Sequence, residues 1–275
     1  MQIHELIKKI PLYLFAKIEF FLRKNCVGSV IFFKRLIGNP FFEMSYKKRH
    51  VYLDIDNFME YKFRIFASKK EPETVEWIEG RFKEGDVFFD VGANVGVYSL
   101  IADAYFSKKI KVFAFEPAFF NYNKLCRNVW RNKAKIRCYP FAISDKTEDA
   151  ELYLHDMKSG SAQHNLDENV DDMGERYESP FIQNVLAVSL DELVSRFGFP
   201  VPDHLKIDVD GLEQKIIRGA KNTLCNGKLK TVMLETNERL FDSGISDAIK
   251  AAGLTLTRRV PRGRKGVFNC FFERR

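Results

Sequence analysis

The stretch 85–107 constrains the chain more than any other. An apolar run, Val87-Phe88-Phe89-Asp90-Val91, leads directly into Gly92-Ala93-Asn94-Val95-Gly96. Residues apolar at helical spacing follow from Val97. A buried strand, a tight glycine turn and a helix in that order open a βαβ unit. Glycines suit such a turn because a side chain would block close approach of backbone to a ligand, and because the turn calls for positive φ.

From residue 71 onward the same alternation continues, which predicts a parallel sheet with helices on both faces. Strands are expected at 87–91, 111–115, 136–143, 205–209 and 231–235. Helices are expected at 97–107, 119–132, 190–197, 213–224 and 238–252, and Ser189 with Glu192 forms a capping box. Gly253 ends the last helix. Two further runs, 254–260 and 267–274, flank the basic turn 261–266 and read as an antiparallel hairpin. The expectation is therefore an α/β fold with a mostly parallel seven-stranded sheet closed by a C-terminal hairpin. No internal repeat or low-complexity tract interrupts it, although the polar stretch 157–180 is a loop long enough to suggest function.

Residues 1–70 read as an N-terminal accessory region and 71–275 as the catalytic domain. Ile3, Leu6, Ile7 and Ile10, then Leu14, Phe15, Ile18, Phe21 and Leu22, recur at helical spacing among lysines, with Pro11 between the two pieces. The unbroken apolar stretch there is far shorter than the roughly 20 residues of a membrane span, and no signal-peptide cleavage site follows. Such amphipathic helices can pack on their own domain, on a second subunit in a homo-oligomer, or on an anionic membrane surface through residues 1–40.

The formal net charge of +7 is concentrated toward the two ends, and no nucleic-acid module accompanies it. Nucleic acid is therefore not an expected partner. Five cysteines, Cys26, Cys126, Cys138, Cys225 and Cys270, lack metal-site spacing and are odd in number. They suit buried free thiols in a reducing cytoplasm.

The site is expected where the strands end. Asp90, Gly92, Asn94 and Gly96 form the first turn. The GxxxG spacing lacks the third glycine of a dinucleotide cradle, and favours a nucleoside carrying an amino-acid tail. Glu116 ends the second strand about two dozen residues after Gly92, where a carboxylate accepts ribose hydroxyl protons. At the end of the third strand the backbone of Ala142 and the side chain of Asp145 would address a base. Asp208 and Asp210 lie past the fourth strand as candidate catalytic carboxylates, near Glu213, Glu235 and Asn237. His164, in the polar loop, is the histidine best placed as a base or acceptor contact. Several oxygens at adjacent strand ends are also compatible with Mg²⁺, although cofactor and acceptor contacts explain the same residues without a metal. A nicotinamide-dependent oxidoreductase and a non-catalytic binding module stay open as alternatives.

The ordered motifs DVGANVGVYS (90–99), FEP (115–117), AISD (142–145), VSLDEL (188–193), KIDVDG (206–211) and VMLETN (232–237) resemble the FkbM family of S-adenosylmethionine-dependent methyltransferases. The resemblance covers about residues 85–240. It implies a Rossmann-like class I methyltransferase fold, S-adenosylmethionine as cofactor, and O-methylation of a sugar, glycan, glycolipid or secondary metabolite. Two positions depart from the family pattern: Ala118 replaces the usual polar residue after the EP pair, and Asp210 replaces the usual glutamate of the KIDxEG motif.

Overall fold

Phe88 points to one side of its strand, and Val87, Phe89 and Val91 to the other. All four are buried, so the strand must lie between two apolar layers. The computed structural model describes residues 41–57, 60–161, 164–166, 176–263 and 266–274. The amphipathic N-terminal reading, with Cys26, falls outside them.

Among the described residues thirteen strands are present, β1 to β13 in chain order. The central sheet contains β3 (Val87–Val91), β4 (Lys111–Phe115), β5 (Ile136–Tyr139), β10 (His204–Ile207), β11 (Thr231–Asn237), β12 (Leu254–Pro261) and β13 (Val267–Arg274). Their order across the sheet is β12-β13-β11-β10-β3-β4-β5. Strands β3, β4, β5, β10 and β11 run parallel, β13 is antiparallel to β11, and β12 is antiparallel to β13. This is the expected Rossmann-like class I methyltransferase fold. The chain builds outward from β3 in one direction and then, from β10, in the other. The crevice between the carboxyl ends of β3 and β10 is thus the topological switch point.

The third expected strand, 136–143, divides in two. Pro140 lacks the N–H needed to continue a ladder, so β5 stops at Tyr139 and the chain resumes as β6 (Ala142–Ser144) in another sheet. That sheet, ordered β6-β9-β7-β8, also contains β7 (Glu148–Leu154), β8 (Asn165–Leu166) and β9 (Phe181–Ser189). In β7 the period-two set Ala150, Leu152 and Leu154 is buried, in the same core as Val87, Phe89 and Val91. Part of the expected loop 157–180 is therefore strand, while 162–163 and 167–175 lie outside the described residues.

The expected helix 213–224 is likewise two, Glu213–Arg218 and Lys221–Cys225. Gly219 separates them and lies against β6, where a Cβ would come within 2.2 Å of the Ser144 carbonyl oxygen. The predicted cap is present, with Ser189 Oγ accepting the Glu192 N–H at 3.2 Å. Cys126, Cys138, Cys225 and Cys270 are free thiols. No helix among the described residues is long and apolar enough to cross a membrane.

The opposite face of the sheet carries helices Pro72–Arg81 and Val97–Tyr105. Met44, Tyr46, Val51, Leu53 and Ile65 enter the same core. A small hairpin, β1 (Phe41–Glu43) with β2 (Tyr52–Asp54), lies along helix Phe119–Arg131. Side-chain amides on that helix act as a substitute strand edge. Asn132 accepts from the Tyr52 N–H and donates to its carbonyl, and Asn128 accepts from the Asp54 N–H.

Beneath this contact the buried ammonium of Lys124 lies 2.8 Å from Asp56, and 3.5 Å from both Asp54 and Glu60. Removing a buried cation leaves carboxylates uncompensated, at about 3–5 kcal/mol. Lys124→Met is accordingly expected to lower unfolding free energy by about that amount, read from urea titration at pH 7. A loss below about 1 kcal/mol would mean that solvent already screens the cluster.

Candidate active site

Strand β3 brings the glycine turn against the end of β10. Gly92, at φ +75°, lies so close to it that a Cβ would be 1.9 Å from the Asp208 carbonyl oxygen. No rotamer relieves a clash with backbone, so glycine is required there. The Gly92 and Ala93 N–H groups both donate to the Phe115 carbonyl, joining the turn to β4. Asn94 adopts φ +50°, and Gly96, at φ +89°, precedes the helix where a Cβ would meet Leu125 at 2.5 Å.

Below the turn, Lys206 is 1% exposed, its ammonium 3.2 Å from Asp90 and 2.9 Å from Asp208. Asp90 also accepts from Ser99 Oγ at 2.6 Å. Asp90 and Gly96 therefore shape the turn from within, and neither lines the crevice. Burial opposes ionisation of Asp208, yet the Lys206 charge overrides it and holds the carboxyl below the usual carboxylate range.

Glu116, at the end of β4, is 5% exposed. One carboxylate oxygen accepts the Asn94 N–H at 2.8 Å and the other the Ala118 N–H at 3.0 Å. Burial pushes its carboxyl up to about 7, against the effect of these donors. The Asn121 side chain reaches it as well, and the carboxylate keeps acceptor capacity for a hydroxyl donor.

Opposite Glu116, Asp208, Asp210, Glu71 and Glu235 line the crevice with Arg262 and Arg64. Arg262 sits in the β12–β13 turn and donates to Glu71 at 2.5 Å and to Glu235 at 3.0 Å. Burial, with the nearby Asp208 charge, pushes Glu235 up to about 8. Burial also raises Glu71, against the pull of Arg262.

His164 lines the crevice as expected, but its role as a base is corrected. Its Nδ1 accepts the His155 N–H at 3.0 Å, and burial pushes the imidazole down to about 4. The neutral ring then carries its proton on Nε2, so the free edge is a donor.

Two further expectations are corrected. Ala142 is buried in the second sheet, and Asp145 is turned away to pair with Arg218 at 3.0 Å, so neither lines the crevice. The break at Pro140 carries both residues out of the central sheet. Glu213 is buried beside it, one oxygen accepting the Gly211 N–H at 3.3 Å, and is not a lining residue. Among the described residues no group of three or more His, Cys, Asp or Glu side chains is arranged to hold a metal ion, which gives the Mg²⁺ expectation no support.

Sequence reasoning missed Arg64, Glu71, Asn121, Ser161 and Arg262. The signal for Arg262 was present: a strand antiparallel to β11 starts where β11 ends, so the basic turn before it must lie on the crevice rim.

Comparison with known proteins identifies the family. Residues 90–250, more than half of the chain, match the family model described as the methyltransferase FkbM domain. The chain belongs to that family. It is 26% identical over 162 residues to the hexuronic acid methyltransferase AglP of Haloferax volcanii, covering 59% of this chain and 61% of that protein. It is 28% identical over 166 residues to the 31-O-demethyl-FK506 methyltransferase FkbM of Streptomyces tacrolimicus, covering 51% of this chain and 61% of that protein. The chain thus spans about three fifths of the length of these relatives. Among solved structures, a methyltransferase FkbM from Methylobacillus flagellatus KT superposes with a TM-score of 0.49 at 16% identity, covering 70% of this chain and 44% of the other.

Because Glu116 rises from 4.5 to about 7 on folding, the native state binds more protons than the unfolded chain between those values. Its contribution to stability therefore falls as pH rises through that window. Relative to wild type, Glu116→Gln should gain about 3 kcal/mol between pH 4.5 and pH 7 and nothing further above it, measured by chemical denaturation. A pH-independent difference would show that the carboxylate is solvated.

Proposed function

We propose that the crevice binds S-adenosylmethionine and that the chain transfers its methyl group to a hydroxyl oxygen of a sugar or another small polyhydroxyl acceptor. The observation that carries this reading is the placement of Glu116. Its buried carboxylate is fixed by backbone donors from two loops, beside a turn that only glycine can make. A ribose hydroxyl would donate to the lone pair that these groups leave open, and would offset the burial that raises it. The cofactor, when bound, supplies a methyl group already activated on a sulfonium, so the protein has to place an acceptor oxygen in line with it. Orientation of this kind is worth on the order of 7–11 kcal/mol.

The carboxylates across the crevice suit such an acceptor. Asp208, held ionised by Lys206, is a weak base but a fixed negative charge that can accept a hydroxyl hydrogen bond. Asp210 adds a second acceptor beside it. Glu235, lifted toward neutrality, is better matched to removing the hydroxyl proton, since a general base works best with a pKa near the working pH. The neutral His164 offers a donor on the opposite wall. A hexuronic acid and a 31-O-demethyl compound, in the names of the two relatives, are both oxygen-bearing acceptors, which supports transfer to oxygen.

The test combines binding with turnover. S-adenosylhomocysteine should bind the wild type and lose affinity about tenfold per pH unit below 7 as Glu116 takes up its proton. Glu116→Ala should weaken binding at least about a hundredfold, equivalent to about 3 kcal/mol. With isotopically labelled methyl donor, label should enter an alkali-stable ether on a panel of hexoses, hexuronic acids and simple alcohols. Binding of NADH without any response to S-adenosylhomocysteine would overturn the proposal.

A further inference from the structure

Past β7 the chain crosses the mouth of the crevice before entering β8, and the crossing segment, 156–161, is bonded on two sides. Toward the crevice, the Ser161 carbonyl accepts from the side-chain amides of Asn94 at 2.8 Å and Asn121 at 3.0 Å. The Gly160 N–H returns a bond to Asn121 Oδ1 at 2.8 Å. These two asparagines flank Glu116. Asn94 gives it a backbone N–H, and the fully buried Asn121 reaches it through its side chain. The residues around the proposed ribose carboxylate therefore also carry this segment.

On the outer side the partners are Asp56, Asn57, Glu60 and Arg64. Asn57 Nδ2 donates to the Ser159 carbonyl at 3.3 Å, and Ser159 Oγ to Asp56 at 3.4 Å. Arg64 donates to the Gly160 carbonyl at 2.6 Å. Gly160 adopts φ +80°, and a Cβ there would fall 2.7 Å from Glu60 Cγ. Glu60 is in turn held by Lys124, in the cluster that secures the β1–β2 hairpin. Within the segment, Asp156 ties its ends by accepting from the Lys158 N–H at 2.8 Å and Ser161 Oγ at 2.5 Å. A surface loop needs none of this, because water satisfies its carbonyls. Arg64 lines the crevice as well, and its Nε is buried with no hydrogen-bond partner among the described residues.

We propose that residues 156–161 are the outer wall of the nucleoside pocket and that Asp56, Asn57, Glu60 and Arg64, outside the span matched by the family model, hold that wall against Asn94 and Asn121 and so govern retention of the cofactor. The inference rests on the crevice being the cofactor site. It assigns the region before residue 70 a part in binding, through contacts that never touch the reacting atoms.

Two full-length variants test it, with S-adenosylhomocysteine as the probe. The double substitution Asn57→Ala with Ser159→Ala removes outer bonds without entering the crevice, and Gly160→Ala forces the segment off Glu60. Each is expected to raise the dissociation rate at least tenfold in stopped-flow displacement; the double variant should keep the ligand-free melting temperature, whereas Gly160→Ala should lower it, because alanine is strained at φ +80°. Hydrogen exchange on the wild type should show amides 156–161 slowing when the probe binds, which decides the matter even if a variant fails to fold. Unaltered dissociation in both folded variants, or exchange at 156–161 indifferent to the probe, overturns this inference and leaves the cofactor assignment standing. Failure of the wild type to bind the probe at all overturns both.

Discussion

The ammonium of Lys206, enclosed between Asp90 and Asp208, is the interaction on which the rest of the site depends. All three groups sit at the carboxyl ends of β3 and β10, where a lone buried charge would cost several kcal/mol. Shared between two carboxylates, and lying 5.4 Å from the centre of the Tyr98 ring, the ammonium is tolerated only if the two strand ends hold one spacing. That spacing lets Gly92 meet the Asp208 carbonyl. It also fixes the width of the crevice at the point where the strand order reverses.

From that fixed rim the charge of the site follows. The protein carries an excess of basic residues overall, yet the crevice is lined by Glu71, Glu116, Asp208, Asp210 and Glu235. Like charges so close cannot all ionise freely. The arrangement settles the conflict unevenly: Asp208 takes the lysine, Glu71 and Glu235 share Arg262, and Glu116 has two backbone N–H groups and the Asn121 side chain but no ion pair. Carboxylates of one chemical type thereby acquire different affinities for protons, and acids and bases of different strength stand within one cleft.

Much of this was legible in the chain. The seven strands of the central sheet, the C-terminal hairpin, the turn at Gly92 and the carboxylate at Glu116 all follow from local pattern, because strand period and turn chemistry act over a few residues. What escaped was of two kinds. A single proline at position 140 moved Ala142 into another sheet and took Asp145, just beyond that strand, away from the crevice with it, and Gly219 broke a helix to pack on it; both are local signals whose consequence is tertiary. The hydrogen bond that His164 accepts from the His155 N–H was beyond the sequence, because it depends on how the chain folds between β7 and β8. The strands β7 and β9 border a polar stretch, and the alternation of β9 is interrupted by the exposed apolar residues Phe181, Ile182 and Leu186.

The residues hardest to foresee share an origin. Arg64 and Glu71 precede the span that matches the family model, and Arg262 follows it, yet all three line the crevice. Each arrives by a different route: Arg64 and Glu71 through the helical turns that pack the early residues onto the sheet, Arg262 through a hairpin whose antiparallel course returns its turn to the rim. The bond from Arg262 to Glu71 closes a separation of 191 residues. Within the matched span lie the turn, Glu116, Asp208, Asp210 and Glu235, whereas the flanks add Glu71 and the cations Arg64 and Arg262. Divergence in such flanks can alter the charges lining the crevice while the rim set by Lys206 stays in place.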